Sequence, residues 1–255
     1  MKRVVVKVGS AVLTENNKIA IERMKALVSF LIELQQDYEV ILVSSGAVAA
    51  GYTELKLDRS VLKNKQALAS IGQPILMKTY AKKFAHAKIL TAQVLVSAAN
   101  FNKIEETKKI KNTIDTLLEN KVIPIFNEND ATATEELVVG DNDQLSAYIT
   151  KHTNSDILLI LSDIDAYYDS DPRANKDAKV LKIVKNIDKD ELEKEVNPNN
   201  IFATGGIVTK LKAASYLLDN NLEMFLASGF DLTSVKSFML KKEHIGGTYF
   251  TKGLQ

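Results

Sequence analysis

Four short apolar runs in this sequence each break off on a polar or glycine-containing turn. That repeated ending constrains the fold more than any other feature. Arg3 to Val8 accumulates valine and stops at Gly9-Ser10, and Val40 to Val43 runs into Ser44-Ser45-Gly46. Val122 to Phe126 empties into Asn127, Glu128, Asn129 and Asp130, and Asp156 to Leu161 ends in Ser162-Asp163. Runs that accumulate apolar residues more than they alternate are expected of central strands in a parallel sheet. Amphipathic stretches separate them. Ile21, Met24, Leu27, Val28, Leu31 and Leu34 recur at helical spacing. A helical zone is expected over about Val61 to Ala87, interrupted near Gly72-Gln73-Pro74, and another helix from Ile104 to Asn120. Strands alternating with helices give an α/β chain with a largely parallel sheet covered on both faces.

The remaining elements fit that plan. Lys88 to Val94 reads as a strand, and Asp141 caps a helix through His152. Ala203-Thr204-Gly205-Gly206 opens a helix through Leu218, followed by a strand from Leu222 to Leu226. A helix from Asp231 to Lys241 and a strand from Gly247 to Thr251 finish the chain. Asp169 to Val196 is charged and lysine-rich with weak periodicity, the pattern of a solvated excursion over the sheet. The chain has 255 residues, and no linker separates two cores, so one domain is expected.

Composition excludes several classes. Formal net charge is +1 and the basic residues are scattered, so no nucleic-acid partner is implied. There is no cysteine, hence no disulfide and no thiolate metal site, which fits a reducing cytosol. Met1-Lys-Arg-Val-Val-Val-Lys7 meets a charge too early for a signal peptide. No apolar run approaches the ~18 residues of a membrane span. A cytoplasmic protein without a membrane partner is the expectation.

The stretch from Phe126 to Ala147 carries the densest chemistry. Its two polar knots, Asn127 to Asp130 and Gly140-Asp141-Asn142-Asp143, lie just past a strand end, where open α/β sheets bind ligands. Carboxylates and amides together supply acceptors for an ammonium and donors for a carboxylate, which suits a small zwitterion. Read without a ligand, the same residues are an Asx-rich turn and an aspartate helix cap. Gly9-Ser10 and Ser44-Ser45-Gly46 offer hydroxyls and open backbone N–H groups, and Thr204-Gly205-Gly206 precedes a helix whose amino end suits a phosphate. Glycine also ends strands for steric reasons alone, so the weight lies in their joint occurrence.

Two lysines stand out. Lys7 lies within the valine-rich first strand, where an unpaired ammonium is costly, and Lys210 falls about one turn into the helix after the glycine pair. Without a ligand, Lys7 reads as the side chain of an edge strand and Lys210 as part of a solvated helix face. Neither common phosphate-loop fingerprint is present, and the three histidines show no metal-ligand spacing. Phosphoryl transfer needs charge stabilisation and alignment more than covalent help. A carboxylate acceptor, with a pKa of ~4.3, is already ionised at neutral pH and needs no general base.

The motifs Lys7-Val-Gly-Ser10, Val43-Ser-Ser-Gly-Ala-Val-Ala-Ala-Gly51, Val122-Ile-Pro-Ile-Phe-Asn-Glu-Asn-Asp130, Val139-Gly-Asp-Asn-Asp-Gln-Leu-Ser-Ala147, Leu161-Ser-Asp163, Asp171-Pro-Arg173 and Thr204-Gly-Gly-Ile-Val-Thr-Lys210 occur in family order. On these the chain resembles the amino acid kinase family, in the branch that phosphorylates the γ-carboxylate of L-glutamate at the start of proline biosynthesis. The resemblance implies a single-domain αβα sandwich over residues 1–255, using ATP with Mg2+. It places Lys7 and Lys210 beside the transferring phosphoryl group, with Asp143 holding them. Ser45, Asp130, Asp141 and Asn142 take the amino acid. Lys7, Gly9, Ser10, Ser162, Asp163 and the run Thr204, Gly205, Gly206, Ile207, Val208, Thr209 and Lys210 take the nucleotide. The Mg2+ ligands are left open.

The resemblance also implies proline as a feedback inhibitor and assembly as a homo-oligomer. Many relatives carry a carboxy-terminal PUA domain, which this chain is expected to lack. Ala203 stands where many have glycine, and Ala166-Tyr167 replaces a usual Gly-Leu. Three alternatives remain open: a sister kinase acting on uridylate or acetylglutamate, a sensor that binds without turnover, and a calcium loop at Gly140 to Asp143.

Overall fold

The computed structural model describes residues 1–132, 142–193 and 206–253. Its strands are β1 (Lys2–Val8), β2 (Thr14–Glu15), β3 (Lys18–Ile19), β4 (Tyr38–Ser44), β5 (Thr91–Val96), β6 (Ile123–Glu128), β7 (Ile157–Ser162), β8 (Ile183–Val184), β9 (Glu223–Ser228) and β10 (Thr248–Phe250). Its helices are α1 (Ser10–Leu13), α2 (Ile21–Leu34), α3 (Ala47–Glu54), α4 (Leu62–Phe84), α5 (Ile104–Glu119), α6 (Asn142–His152), α7 (Lys189–Glu193), α8 (Gly206–Asp219) and α9 (Thr233–Lys236).

Eight strands form one sheet in the order β5-β6-β4-β1-β7-β9-β10-β8. The six from β5 to β9 run parallel. β10 pairs antiparallel to β9, and β8 lies parallel to β10. The valines of β1 are buried because β1 is the centre: Val6 lies between Leu42 of β4 and Leu159 of β7. The chain moves from β1 to β4 on one side and later resumes at β7 on the other. Such a reversal opens a crevice beyond the carboxyl ends of the strands.

Alternation along β1 divides its side chains between two cores. Val4, Val6 and Val8 join Met24, Leu27 and Leu31 of α2 and Leu76 and Tyr80 of α4. Val5 faces the opposite layer with Leu145 of α6 and Leu211 of α8. Lys7 has the parity of Val5, so it points to the α6 and α8 side, 2% exposed. The edge-strand reading of Lys7 is thereby overturned, since β1 has a neighbour on each side. Lys210 is buried as well, which overturns the solvated-face reading of that lysine.

The break expected near Gly72-Gln73-Pro74 does not occur; α4 runs unbroken past Pro74. Proline removes one backbone donor, freeing the carbonyl of Ser70. Ser70 and Pro74 both lie on the exposed stripe of α4, so water can take that carbonyl. The segment from Asp169 is largely exposed as expected, yet Ile183 and Val184 leave it to join the sheet as β8. The β2–β3 hairpin was also not anticipated; its turn residues Asn16 and Asn17 have φ of 49° and 59°, which a two-residue hairpin favours. The helix expected from Asp231 is α9 followed by a π-helical turn at Ser237–Lys241. Among the described residues no helix is long and apolar enough to cross a membrane.

Helices α3 and α4 meet at two glycines. A Cβ on Gly72 would lie 1.8 Å from the Ala47 carbonyl oxygen and 2.4 Å from the Gly51 nitrogen, and one on Gly51 would lie 1.9 Å from the Leu68 carbonyl oxygen. Gly72→Ala therefore pushes backbone against backbone and should destabilise the fold by about 3 kcal/mol, the upper range for overpacking. Urea denaturation of Gly72→Ala beside Ile71→Ala, an exposed neighbour, measures this; equal midpoints would show that the helices separate without cost.

Candidate active site

The crevice is built from strand ends and helix starts. β1 delivers Lys7, α6 delivers Asn142 and Asp143 in its first turn, and α8 delivers Thr209 and Lys210 one turn from Gly206. Asp143 is fully buried and bridges both lysines. Lys7 Nζ pairs with its Oδ1. Lys210 Nζ lies 3.0 Å from Oδ2, which also accepts a hydrogen bond from Thr209 Oγ1 at 3.0 Å. Lys210 Nζ donates in addition to the Gly206 carbonyl at 2.8 Å, which fixes the side chain along its own helix. Among the described residues, two cations share this one anion where water does not screen them. Such ammoniums attract an anion strongly.

Beside it runs a chain of amides. Asn142 Nδ2 donates to Asn127 Oδ1 (3.0 Å), Ser45 Oγ (3.1 Å) and the Ser44 carbonyl (3.2 Å). Asn127 Nδ2 donates to Gln73 Oε1 at 2.9 Å, and Gln73 Nε2 donates to Gln93 Oε1 at 3.2 Å. With its amide nitrogen committed, Asn142 keeps Oδ1 as an acceptor. Ser45, Asn127 and Asn142 line a cleft of about 410 Å³ together with Ser10, Arg59, Glu128 and Asp130. Ser45 sits where β4 gives way to α3, and Gly46 makes that turn with φ of +108°, the left-handed region glycine tolerates.

Burial pushes the Glu128 carboxyl up to about 7, with the Asp130 charge adding to the shift. Burial also raises Asp130 above its ordinary range. A carboxyl with a higher pKa folded than unfolded binds more protons in the fold. Glu128 thus weakens the fold increasingly as pH rises from 4.5 toward about 7. The cleft holds these acids at a cost to stability, which is usual where a site is shaped for a ligand.

Across Lys7 and Lys210 lie the other expected positions. Gly9 N–H donates to the Leu161 carbonyl at 3.0 Å, and a Cβ at Gly9 would stand 4.0 Å from Lys7 Nζ, so glycine keeps that ammonium approachable. Ser162 Oγ donates to Asp163 Oδ1 at 2.8 Å at the end of β7. Gly206, Ile207, Val208, Thr209 and Lys210 form the first turn and start of the second in α8, whose amino end suits a phosphate. Asp141, Thr204 and Gly205 lie outside the described residues, as does Ala203. Tyr167 does not face this side; it stacks on Phe250, with ring centroids 6.3 Å apart, in the core.

Sequence reasoning missed four contributors. Gln73 and Asn127 act from inside the fold, Glu128 stood unselected within Asn127 to Asp130, and Arg59 carries no motif at all. Arg59 lines the cleft with its guanidinium 4.7 Å from the Tyr52 ring. Among the described residues no three His, Asp or Glu side chains group as a metal cage.

The sequence profile of the amino acid kinase family matches residues 2–228, and the chain belongs to that family. Glutamate 5-kinases are among its relatives in that family. That of Wolinella succinogenes is 52% identical with 99% of each chain covered, and that of Leishmania donovani is 51% identical, covering 98% of this chain and 95% of the other. Glutamate 5-kinase 2 of Bacillus subtilis is 40% identical over 98% of this chain and 68% of its own. Among solved structures, UMP kinase from Ureaplasma parvum superposes with a TM-score of 0.64 at 18% identity, covering 98% and 99% of the chains. An isopentenyl phosphate kinase gives 0.60 at 14% identity, covering 98% and 100%. These two show the fold alone.

The shared carboxylate sets an order of stability. Asp143→Asn removes the carboxylate that both buried ammoniums share, whereas Lys7→Met leaves Asp143 still paired with Lys210. Removing one partner of a buried pair typically costs about 3–5 kcal/mol. Asp143→Asn should fall at that level and below Lys7→Met in thermal and urea denaturation. The reverse order would mean that Asp143 does not hold both lysines.

Proposed function

We infer that the protein transfers the γ-phosphoryl group of ATP to the γ-carboxylate of L-glutamate, giving L-glutamyl 5-phosphate and ADP, the entry to proline biosynthesis. The observation that carries this reading is the buried Lys7–Asp143–Lys210 group beside an acidic-amide cleft, the two linked through the neighbours Asn142 and Asp143. The relatives named glutamate 5-kinase, which match almost end to end, support the same acceptor.

A γ-carboxylate oxygen bonds to the γ-phosphorus as the bridge to the β-phosphate breaks. No proton moves, because the acceptor is already ionised with a pKa of ~4.3. Negative charge on the transferring group meets the Lys7 and Lys210 ammoniums, which Asp143 holds in place beforehand. Ser45, Asp130, Asp141 and Asn142 orient the amino acid, with Arg59 at the mouth as a cation for its α-carboxylate. Gly9, Ser10, Ser162, Asp163 and the residues from Thr204 to Lys210 take the nucleotide. Mg2+ brought with the nucleotide would be held by phosphate oxygens, water and at most one or two carboxylates, with no dedicated cage required, and would neutralise charge on the phosphates.

Regulation and setting belong to the same proposal. Proline carries an α-carboxylate and a cationic amine but no γ-carboxylate, so it competes for the cleft built on Asp130 and Asn142. Self-association is supported by the open edge of β5, where Leu95 is exposed. A cytoplasmic location fits the absence of cysteine and of a membrane-length helix among the described residues.

Trapping of the acyl phosphate with hydroxylamine tests the reading. Glutamate should give hydroxamate with ATP and Mg2+, and aspartate, one methylene short of the phosphate, far less. Lys7→Met or Lys210→Met should lower turnover by about 100-fold, with a smaller change in glutamate half-saturation. Proline should raise that half-saturation. Hydroxamate formed equally from aspartate, or near-normal turnover in a lysine variant, would remove the assigned role.

A further inference from the structure

Glu128, the last residue of β6, is used by none of the roles above. Its Oε1 is shielded from water and has no hydrogen-bond donor. A buried charged oxygen without a donor is costly, and among the described residues none supplies a partner for this one. Its position says where that partner comes from. Glu128 lines the amino-acid cleft and also an adjoining pocket of about 250 Å³ beneath α4, so the side chain stands on the wall between them.

The groups around that wall are acidic or neutral. Asp130 follows on the next turn. α4 contributes Ser70 and Gln73, β5 contributes Gln93 and Leu95, and Ser45 and Asn142 close the other side. Lys7 and Lys210 are bound to Asp143. Arg59 is the one cation among the described lining residues of the cleft, and its guanidinium is stacked over Tyr52.

We propose that Glu128 is an anionic partner, together with Asp130, of the α-ammonium of the substrate, and that it makes the cleft select an amino acid over the same dicarboxylate without an amine. An ammonium has three donors. The Glu128 carboxyl, the Asp130 carboxylate and the Asn142 amide oxygen belong to three residues that line one cleft. The proposal rests on the glutamate reading and adds a specificity-determining residue to it. Burial, with Asp130, holds the Glu128 carboxyl at about 7, so near neutrality part of it is protonated and must ionise to meet an ammonium. Glutamate half-saturation therefore rises as pH falls through that value. Asp130 is raised too, so the dependence is read as the difference between wild type and variant.

Glu128→Gln keeps the shape and removes the charge. Hydroxylamine trapping with glutamate and with glutarate, which lacks only the amine, is run from about pH 6 to about pH 8 on both proteins, alongside thermal denaturation. In Glu128→Gln, glutamate half-saturation should rise about 10-fold or more at the upper pH, the scale of a lost charge-assisted hydrogen bond. It should change more than turnover does. Glutarate should be little affected, the extra pH dependence should vanish, and the melting temperature should hold or rise, since an unpartnered acid is gone. Equal losses on glutamate and glutarate, or unchanged glutamate half-saturation, would overturn the proposal while leaving the kinase reading standing. Wild-type protein that traps no glutamyl phosphate would overturn both.

Discussion

One carboxylate, Asp143, keeps two ammonium groups out of water, and the reacting centre depends on that arrangement. Neither Lys7 nor Lys210 could be buried alone, because a charge taken from water needs a partner of opposite sign. Paired through Asp143, both ammoniums are held where β1, α6 and α8 converge. The rest of the fold serves this convergence. β1 must be central for Lys7 to lie beneath two helix starts, and the reversal of strand order at β1 is what leaves the space above it open.

A second constraint runs through the opposite layer. The glycine contact between α3 and α4 lets the two helices touch backbone to backbone, which brings Gln73 under the cleft. From there the amides pass orientation along: Gln93 to Gln73, Gln73 to Asn127, Asn127 to Asn142. Gln73, Asn127 and Asn142 each have their amide donor committed inside the protein, so Asn142 enters the cleft with one orientation fixed. Asn142 and Asp143 are adjacent, and a single helix start thereby sets both the acceptor cleft and the lysine pair. In the proposed reaction, that coupling brings the amino acid and the phosphoryl group together.

Much of this was legible before any coordinates. Strand endings located the sheet edge, valine accumulation located β1, and a lysine inside that strand left a partner or an edge strand in water as the two readings. The identity of its partner was supplied by family motifs, since Lys210 and Asp143 are 67 positions apart and no local pattern links them. Pro74 misled because a propensity rule cannot see that Ser70 and Pro74 share an exposed stripe. Ile183 and Val184 were lost in a lysine-rich segment because two residues carry too short a period to declare a strand. Arg59 and Gln73 had no signal, since their roles come from tertiary placement alone. Glu128 was in view but indistinct: only burial separates a carboxyl that binds from one that caps a turn.

The central claim is that both lysines grip the group in transfer while Asp143 holds them. A crystal structure with ADP, Mg2+, glutamate and tetrafluoroaluminate tests it most directly, because the planar fluoride mimics the phosphoryl group midway between donor and acceptor. Lys7 Nζ and Lys210 Nζ should each lie within about 3 Å of a fluoride, hydrogen-bond distance, with Asp143 still bridging them. A fluoride group bound away from either ammonium, or an Asp143 carboxylate turned to another partner, would contradict the account.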